Sequence, residues 1–277
     1  MRSPDALAGP IRALALSFLL AAAAAAQESG RLLPGNGRTA PAGTQPSPPT
    51  LTVRPAAVAP ARTSALHLMA VFDRNYPALE TALAVGAGGG LQFSAGGLFR
   101  HHRVVTSISD SRLDADSFEA GARWWAGGGA ALAGSGVSAA AGIETAYSRT
   151  KDRQGAYSFA ENRWGWADTA LSFAGTAGSR MTAAFRMLRN QADRSNLTAL
   201  SGGLEISPIL GVAPVGEYTF LLHAPSGSRP PWAAGFRVPL GGSWLVCYAS
   251  NTAGSLAAES LAGARTTCLN VRLHAVF

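Results

Sequence analysis

Eight charged residues fall where an alternating pattern turns them to one common face: Glu119, Arg123, Glu144, Arg186, Glu205, Glu217, Arg237 and Arg272. Four carboxylates and four guanidiniums on one surface can do two kinds of chemistry. They can pair with one another, because charges kept from bulk water need partners. They can also line a polar passage that selects small solutes. Glycines on the same face (Gly121, Gly142 and Gly203) leave room beside them, whereas in a small closed sheet side chains can nearly fill the interior. Catalysis has less support. His223, His274, Ser138, Ser148 and Ser201 are the types a lipid hydrolase would use. No GxSxG elbow is present, however, and no spacing fixes a base beside a nucleophile. The expectation is no enzyme, with a hydrolase as the alternative. CxxC and HxxxH spacings are absent and His101-His102 stands alone, so neither metal nor cofactor is expected.

The elements that must position these residues alternate with a period of two. In 117–126, Phe118, Ala120, Ala122 and Trp124 oppose Ser117, Glu119, Gly121 and Arg123. In 137–148, Val137, Ala139, Ala141, Ile143 and Tyr147 oppose Ser138, Gly142, Glu144 and Ser148. The segments 181–190, 217–223, 232–238 and 270–277 repeat the pattern. Such runs are roughly ten residues long, enough to cross a bilayer as a tilted strand. Polar connections at 110–116, 149–155 and 190–196 alternate with tight turns at 174–179 and 239–242, as in a barrel with one long-looped rim and one short-turned rim. About thirteen segments can be picked out. Both ends of such a barrel lie on one side, which needs an even number, so twelve strands are expected, with ten or fourteen possible. The doubtful stretch is 79–110, where Gly88-Gly89-Gly90 and Gly96-Gly97 blur turns and bulges. The fold class is therefore all-β, an antiparallel up-and-down transmembrane barrel.

Composition agrees. Only 14% of the 277 residues are charged, against roughly 25% in soluble domains, while 47% are hydrophobic. Past the N-terminus no stretch of about 18 apolar residues suggests a membrane helix. Arg2 and Arg12 precede an apolar run, Ala13 to Ala24, and Ala24-Ala25-Ala26 is a small-residue cleavage pattern, so residues 1–26 read as a secretory signal peptide. Residues 27–61 are rich in proline and read as a flexible linker that could span the periplasm, meet a partner or be idle. Residues 78–207 hold no proline, as paired strands require. The barrel domain is therefore 62–277.

The last strand, CLNVRLHAVF, resembles the C-terminal signal of bacterial outer-membrane barrels, with Val271, Leu273, Ala275 and Phe277 as its alternating apolar and terminal aromatic residues. The resemblance implies the barrel-insertion machinery and outer-membrane lipid as partners, and a location in the bacterial outer membrane. Gly241-Gly242-Ser243-Trp244 and Ser250-Asn251-Thr252-Ala253-Gly254 resemble the closing hairpin of an uncharacterised barrel family, over about 205–277, which implies no catalytic residue. Of the remaining residues, Trp164 and Trp166 fit an interfacial belt better than a sugar contact. The chain's arginines, 22 beside the single Lys151, suit lipid head groups at the rims. Arg31, Arg38, Arg54 and Arg62 are too sparse for nucleic acid.

Cys247 and Cys268 test the register. Opposed residues in an antiparallel hairpin share an index sum. For these two it is 515, which centres the turn between Ala257 and Ala258, the middle of 251–264. That register opposes Trp244 to Val271 and Val246 to Leu269 on the apolar face and turns both cysteines to the lumen, so a disulfide between them is expected in an exported protein. Taken together, the sequence points to a porin-like channel for small solutes, with a plugged scaffold as the alternative. Mass spectrometry of the mature chain from cells should find Gln27 at its N-terminus; a chain still carrying residues 1–26 would remove the export argument.

Overall fold

The computed structural model describes residues 63–72, 77–105, 110–128, 132–151, 156–175, 179–209, 211–240, 243–252, 254–261, 263 and 266–276. Residues 1–26, read above as a signal peptide, the Pro-rich segment and Phe277 lie outside them. Twelve strands are present: β1 (Ser64–Phe72), β2 (Ala78–Gly88), β3 (Leu91–Val105), β4 (Asp110–Gly128), β5 (Leu132–Lys151), β6 (Tyr157–Ala174), β7 (Arg180–Asn190), β8 (Asn196–Glu205), β9 (Ala213–His223), β10 (Trp232–Leu240), β11 (Ser243–Ser250) and β12 (Cys268–Val276). Each pairs antiparallel with its chain neighbours, and β1 pairs with β12 from Ala65↔Val276 to Phe72↔Leu269, closing the barrel. One short helix, α1 (Ala257–Leu261), lies between β11 and β12.

Alternation decides which way each residue points. Ile143 is 59% exposed while the adjacent Glu144 is 1% exposed. Leu83, Phe93, Phe118, Trp124, Leu171, Phe185, Phe220 and Leu269 are likewise exposed and share the outer face with Ile143. A wall of this kind is costly in water and stable in hydrocarbon, and closure leaves no strand edge to satisfy within the lipid. The doubtful stretch resolves through glycine conformation. Gly88, Gly89 and Gly90 have φ of 94°, 60° and 78° and form the β2–β3 turn. A Cβ on Gly90 would sit 2.2 Å from the Trp125 carbonyl oxygen. Gly96 and Gly97, by contrast, run inside β3 without interruption, opposite Ala82 and Thr81.

Four readings from the sequence need correction. Residues 110–116 are not a loop but the start of β4, paired with β3 from Asp110 and with β5 from Arg112. β3 to β6 are 15 to 20 residues long, whereas the other strands have 8 to 11. Beyond the apolar band a strand can carry charge freely, so polarity there does not signal a turn.

The second concerns β11–β12. Cys247 opposes Val271 and Cys268 opposes Ser250, an index sum of 518 rather than 515. A three-residue slip is odd, so it exchanges faces. Val246 and Tyr248 are buried inside, Cys247 faces outward, Cys268 faces the lumen, and neither cysteine is in a disulfide. The symmetric-turn assumption fails because the connection is not an open hairpin. It turns into the barrel at Asn251.

The third and fourth concern Trp166. Neither it nor Trp164, which packs partly buried against the same inner cluster, forms an interfacial belt; Trp166 is buried within the lumen. Its indole lies over the inward glycines: a Cβ on Gly121 would approach within 2.4 Å of the ring, and one on Gly142 within 2.5 Å. Those glycines therefore receive a side chain and do not leave open space. Gly121→Leu should overpack this contact by about 1–3 kcal/mol, read as a lower temperature for the mobility shift of the folded barrel on a detergent gel. An unchanged transition would show that Trp166 packs elsewhere. In denaturant without reductant, both thiols should react with a maleimide.

Candidate functional site: an occluded lumen

The eight charged residues expected on the inner face are all buried: Glu119, Arg123, Glu144, Arg186, Glu205, Glu217, Arg237 and Arg272, the last fully so at 0%. The structure brings them into several groups. Arg123 donates to both oxygens of Asp168 at 2.9 and 3.0 Å and to Ser138 Oγ at 2.8 Å. Arg237 pairs with Glu205 and stacks on Trp244, 4.3 Å from its ring centre. Arg272 donates to the Tyr248 hydroxyl at 3.0 Å, and that hydroxyl donates to Met69 Sδ. Ser201 shares a hydrogen bond with Thr219 and Ser172 with Thr182. Two of the three serines considered for hydrolysis thus have other partners: Ser138 serves Arg123 and Ser201 serves Thr219. His223 lies exposed at the end of β9.

Glu217 packs beside Gly203, and Glu119, Glu144 and Arg186 hold the β11–β12 connection. Its path starts at the rim away from the first and last described strand ends, then enters the lumen. Asn251 fixes the entry: its Oδ1 accepts from Trp232 N at 2.8 Å and its Nδ2 donates to Pro230 O at 3.0 Å. Leu256 then packs in an apolar cluster with Met69, Val71, Leu98 and Tyr248. Ala257 and Leu261 pack with Ala140, Trp166, Leu188 and Ala199.

Three carboxylates from the wall take amide hydrogens just before and at the start of α1. Glu80 Oε2 accepts from Ser255 N at 2.6 Å, and Glu80 also bonds the Ser255 hydroxyl. Glu119 Oε2 accepts from Ala257 N, and Glu144 Oε2 from Ala258 N, each at 2.7 Å. The first amides of a helix lack partners within it and carry the positive end of its dipole, so carboxylates suit them. Across the helix, Arg186 donates to Ser260 Oγ at 2.6 Å, and Arg100 pairs with Glu259. Gly254 lets the chain pass close to the wall, since a Cβ there would meet Leu98 at 2.9 Å and Glu80 at 3.0 Å.

Glu119 and Glu144 are direct cross-strand partners. Two like charges so placed destabilise a sheet. Here consecutive amide donors from the loop face both, which offsets the repulsion. Sequence reasoning found these two glutamates but missed Glu80, Arg100, Asp168, Glu259 and Ser260. Glu80 and Arg100 sat in the ambiguous glycine stretch. The loop itself carried a usable signal: NTAGSLAAESLAGA has one charge and two leucines, a composition for burial and not for solvent.

With this geometry in place, known proteins can be compared. No family model matches the chain, and no curated protein matches it in sequence. Solved structures do. One titled "KdgM porin" superposes with a TM-score of 0.51 at 9% identity, over 77% of this chain and 99% of that one. The two share the fold, a closed antiparallel β-barrel. A second structure of that porin, "in complex with disordered oligogalacturonate", gives 0.50 over the same shares of the chains at 9% identity. The translocator domain of the autotransporter NalP from Neisseria meningitidis is more distant, at 0.44 and 12% identity over 78% of this chain and 86% of that one. At these identities the likeness is one of fold alone.

Replacing Glu119 and Glu144 together by glutamine turns two hydrogen bonds to charged acceptors, each worth about 1.5–3 kcal/mol, into bonds to neutral carbonyls worth about 0.5–1.5 kcal/mol. The loop should then become accessible to protease added to intact proteoliposomes, with cleavage between 254 and 261. Protection equal to that of the unaltered barrel would mean the carboxylates do not hold the loop.

Proposed function

We propose that this chain is a non-catalytic outer-membrane barrel of the porin kind, exported by its signal peptide, anchored by outer-membrane lipid and placed there by the barrel-insertion machinery. Small solutes pass through it when the β11–β12 loop leaves the lumen, and at rest that loop keeps it shut. The observation carrying the reading is the wall-to-loop contact made by Glu80, Glu119 and Glu144. A lumen filled for rigidity alone could be packed with wall side chains. This one is filled by a segment tethered at its two ends, held by polar bonds that water can replace.

The filled lumen also supports a second reading, a closed structural barrel whose loop never leaves. The inner wall argues against a polyanion as solute. Its arginines (Arg100, Arg123, Arg180, Arg186, Arg237, Arg272) are matched by carboxylates (Glu80, Glu119, Glu144, Asp168, Glu205, Glu217), so no net positive channel draws one in.

Planar-bilayer recording separates the two. The unaltered protein should be silent or show rare brief openings. Leu256→Gly with Leu261→Gly removes the loop's apolar anchors, each worth about 1.5–3 kcal/mol, and should give frequent unitary steps. Continued silence of a variant that still shows the folded mobility shift would leave only the closed barrel.

A further inference from the structure

The long strands β3 to β6 carry a row of like charges. Arg103 opposes Arg112 across β3 and β4, and Arg112 opposes Lys151 across β4 and β5. Lys151 in turn opposes Tyr157 on β6. Cations placed directly opposite one another destabilise a sheet, so three in one row call for an anion beside them. The row stands clear of the neighbouring strands: β2 pairs with β3 only as far as Arg100, and β7 with β6 only as far as Trp164. The acids beside it lie nearer the apolar band. Asp114 opposes Arg149, Asp116 opposes Tyr147, and Glu161 pairs with Arg163 at 2.6 Å.

Along β5 the outward set runs Ile143, Thr145, Tyr147, Arg149, Lys151, from exposed aliphatic to aromatic to cation. Aromatic rings flank the cations. The Arg149 guanidinium lies 4.0 Å from the Tyr157 ring centre and 5.9 Å from that of Phe159, and the Lys151 ammonium lies 5.9 Å from Tyr157. Phe159 is 76% exposed although it sits beyond the Glu161–Arg163 ion pair, where the wall has already left hydrocarbon. Beneath the row, Phe99, Phe118 and Tyr147 meet edge to face at 5.7 and 6.4 Å. The outer wall thus reads, from the middle of the membrane outward, as apolar band, aromatic belt, then cations beside exposed rings.

We infer that this wall docks a phosphorylated glycolipid of the outer leaflet, its phosphates on the row of Arg103, Arg112 and Lys151. Its sugar rings lie against the flat apolar faces of Tyr157 and Phe159, and its acyl chains run down the band below. Position favours a lipid over a soluble polyanion: the row continues the outward face of the cylinder, directly above the wall that acyl chains cover. This rests on the outer-membrane reading above and not on the channel.

The test is native mass spectrometry of the whole chain released from micelles holding diphosphoryl lipid A or phosphatidylglycerol. Lipid A should stay bound, one per barrel, with a dissociation constant at least about tenfold below that of phosphatidylglycerol, the worth of one charge-assisted hydrogen bond. Arg112→Gln with Lys151→Gln should remove that preference and Arg112→Lys should keep it, in variants that still show the folded mobility shift. Equal retention of the two lipids, or a preference that survives the double glutamine variant, would overturn the inference. Dextran sulfate binding as tightly as lipid A would overturn it too, in favour of a soluble polyanion. Recovery of the unaltered chain outside the outer membrane of fractionated cells would instead overturn the reading on which it rests.

Discussion

Glu119 and Glu144 stand directly opposite each other on β4 and β5, pointing into a closed cylinder. Nothing in β-sheet energetics favours that arrangement. It persists because the amides of Ala257 and Ala258 lie against both carboxylates. Much else follows from this contact. It requires the β11–β12 connection to turn inward, a glycine at 254 so that the chain can pass Leu98 and Glu80, and apolar seats for Leu256 and Leu261 on the wall. It also displaces the β11–β12 register from the one a simple hairpin would give.

The outer half of the structure was legible in the sequence because a period of two has only one reading once one face meets lipid. Phe118, Trp124, Ile143 and Phe220 point outward because hydrocarbon leaves them no other side. Strand number followed from the same pattern, save where glycines carry no side chain to mark a face. The inner half was less legible. Alternation says that Arg123 and Glu144 point inward, but it does not say what they meet. Arg123 meets Asp168, 45 positions away, and Glu144 meets Ala258, 114 positions away. Such partners depend on how far each strand is staggered around the barrel, and no local pattern records that.

The cysteines illustrate the limit. Two facts, their common facing and a centred loop, agreed on a register that the barrel does not adopt. Both rested on a connection that simply reverses the chain. Asn251, bonded to Trp232 and Pro230, bends it inward instead. Trp166 is the matching case among the aromatics. Tryptophan often suits a lipid interface, yet Trp166 lies in the middle of β6 and its ring covers the inward Gly121 and Gly142.

The barrel's two halves differ in height. β3 to β6 run several residues past their neighbours, so the mouth has a tall side and a low side. The loop is rooted at the low side, between β11 and β12, and leans across onto carboxylates of β2, β4 and β5. A hinged flap mounted this way swings back toward its root. Under the channel reading proposed above, the gap it would uncover is a crescent along the tall side and not a central hole, and traffic in either direction would brush the acidic wall first.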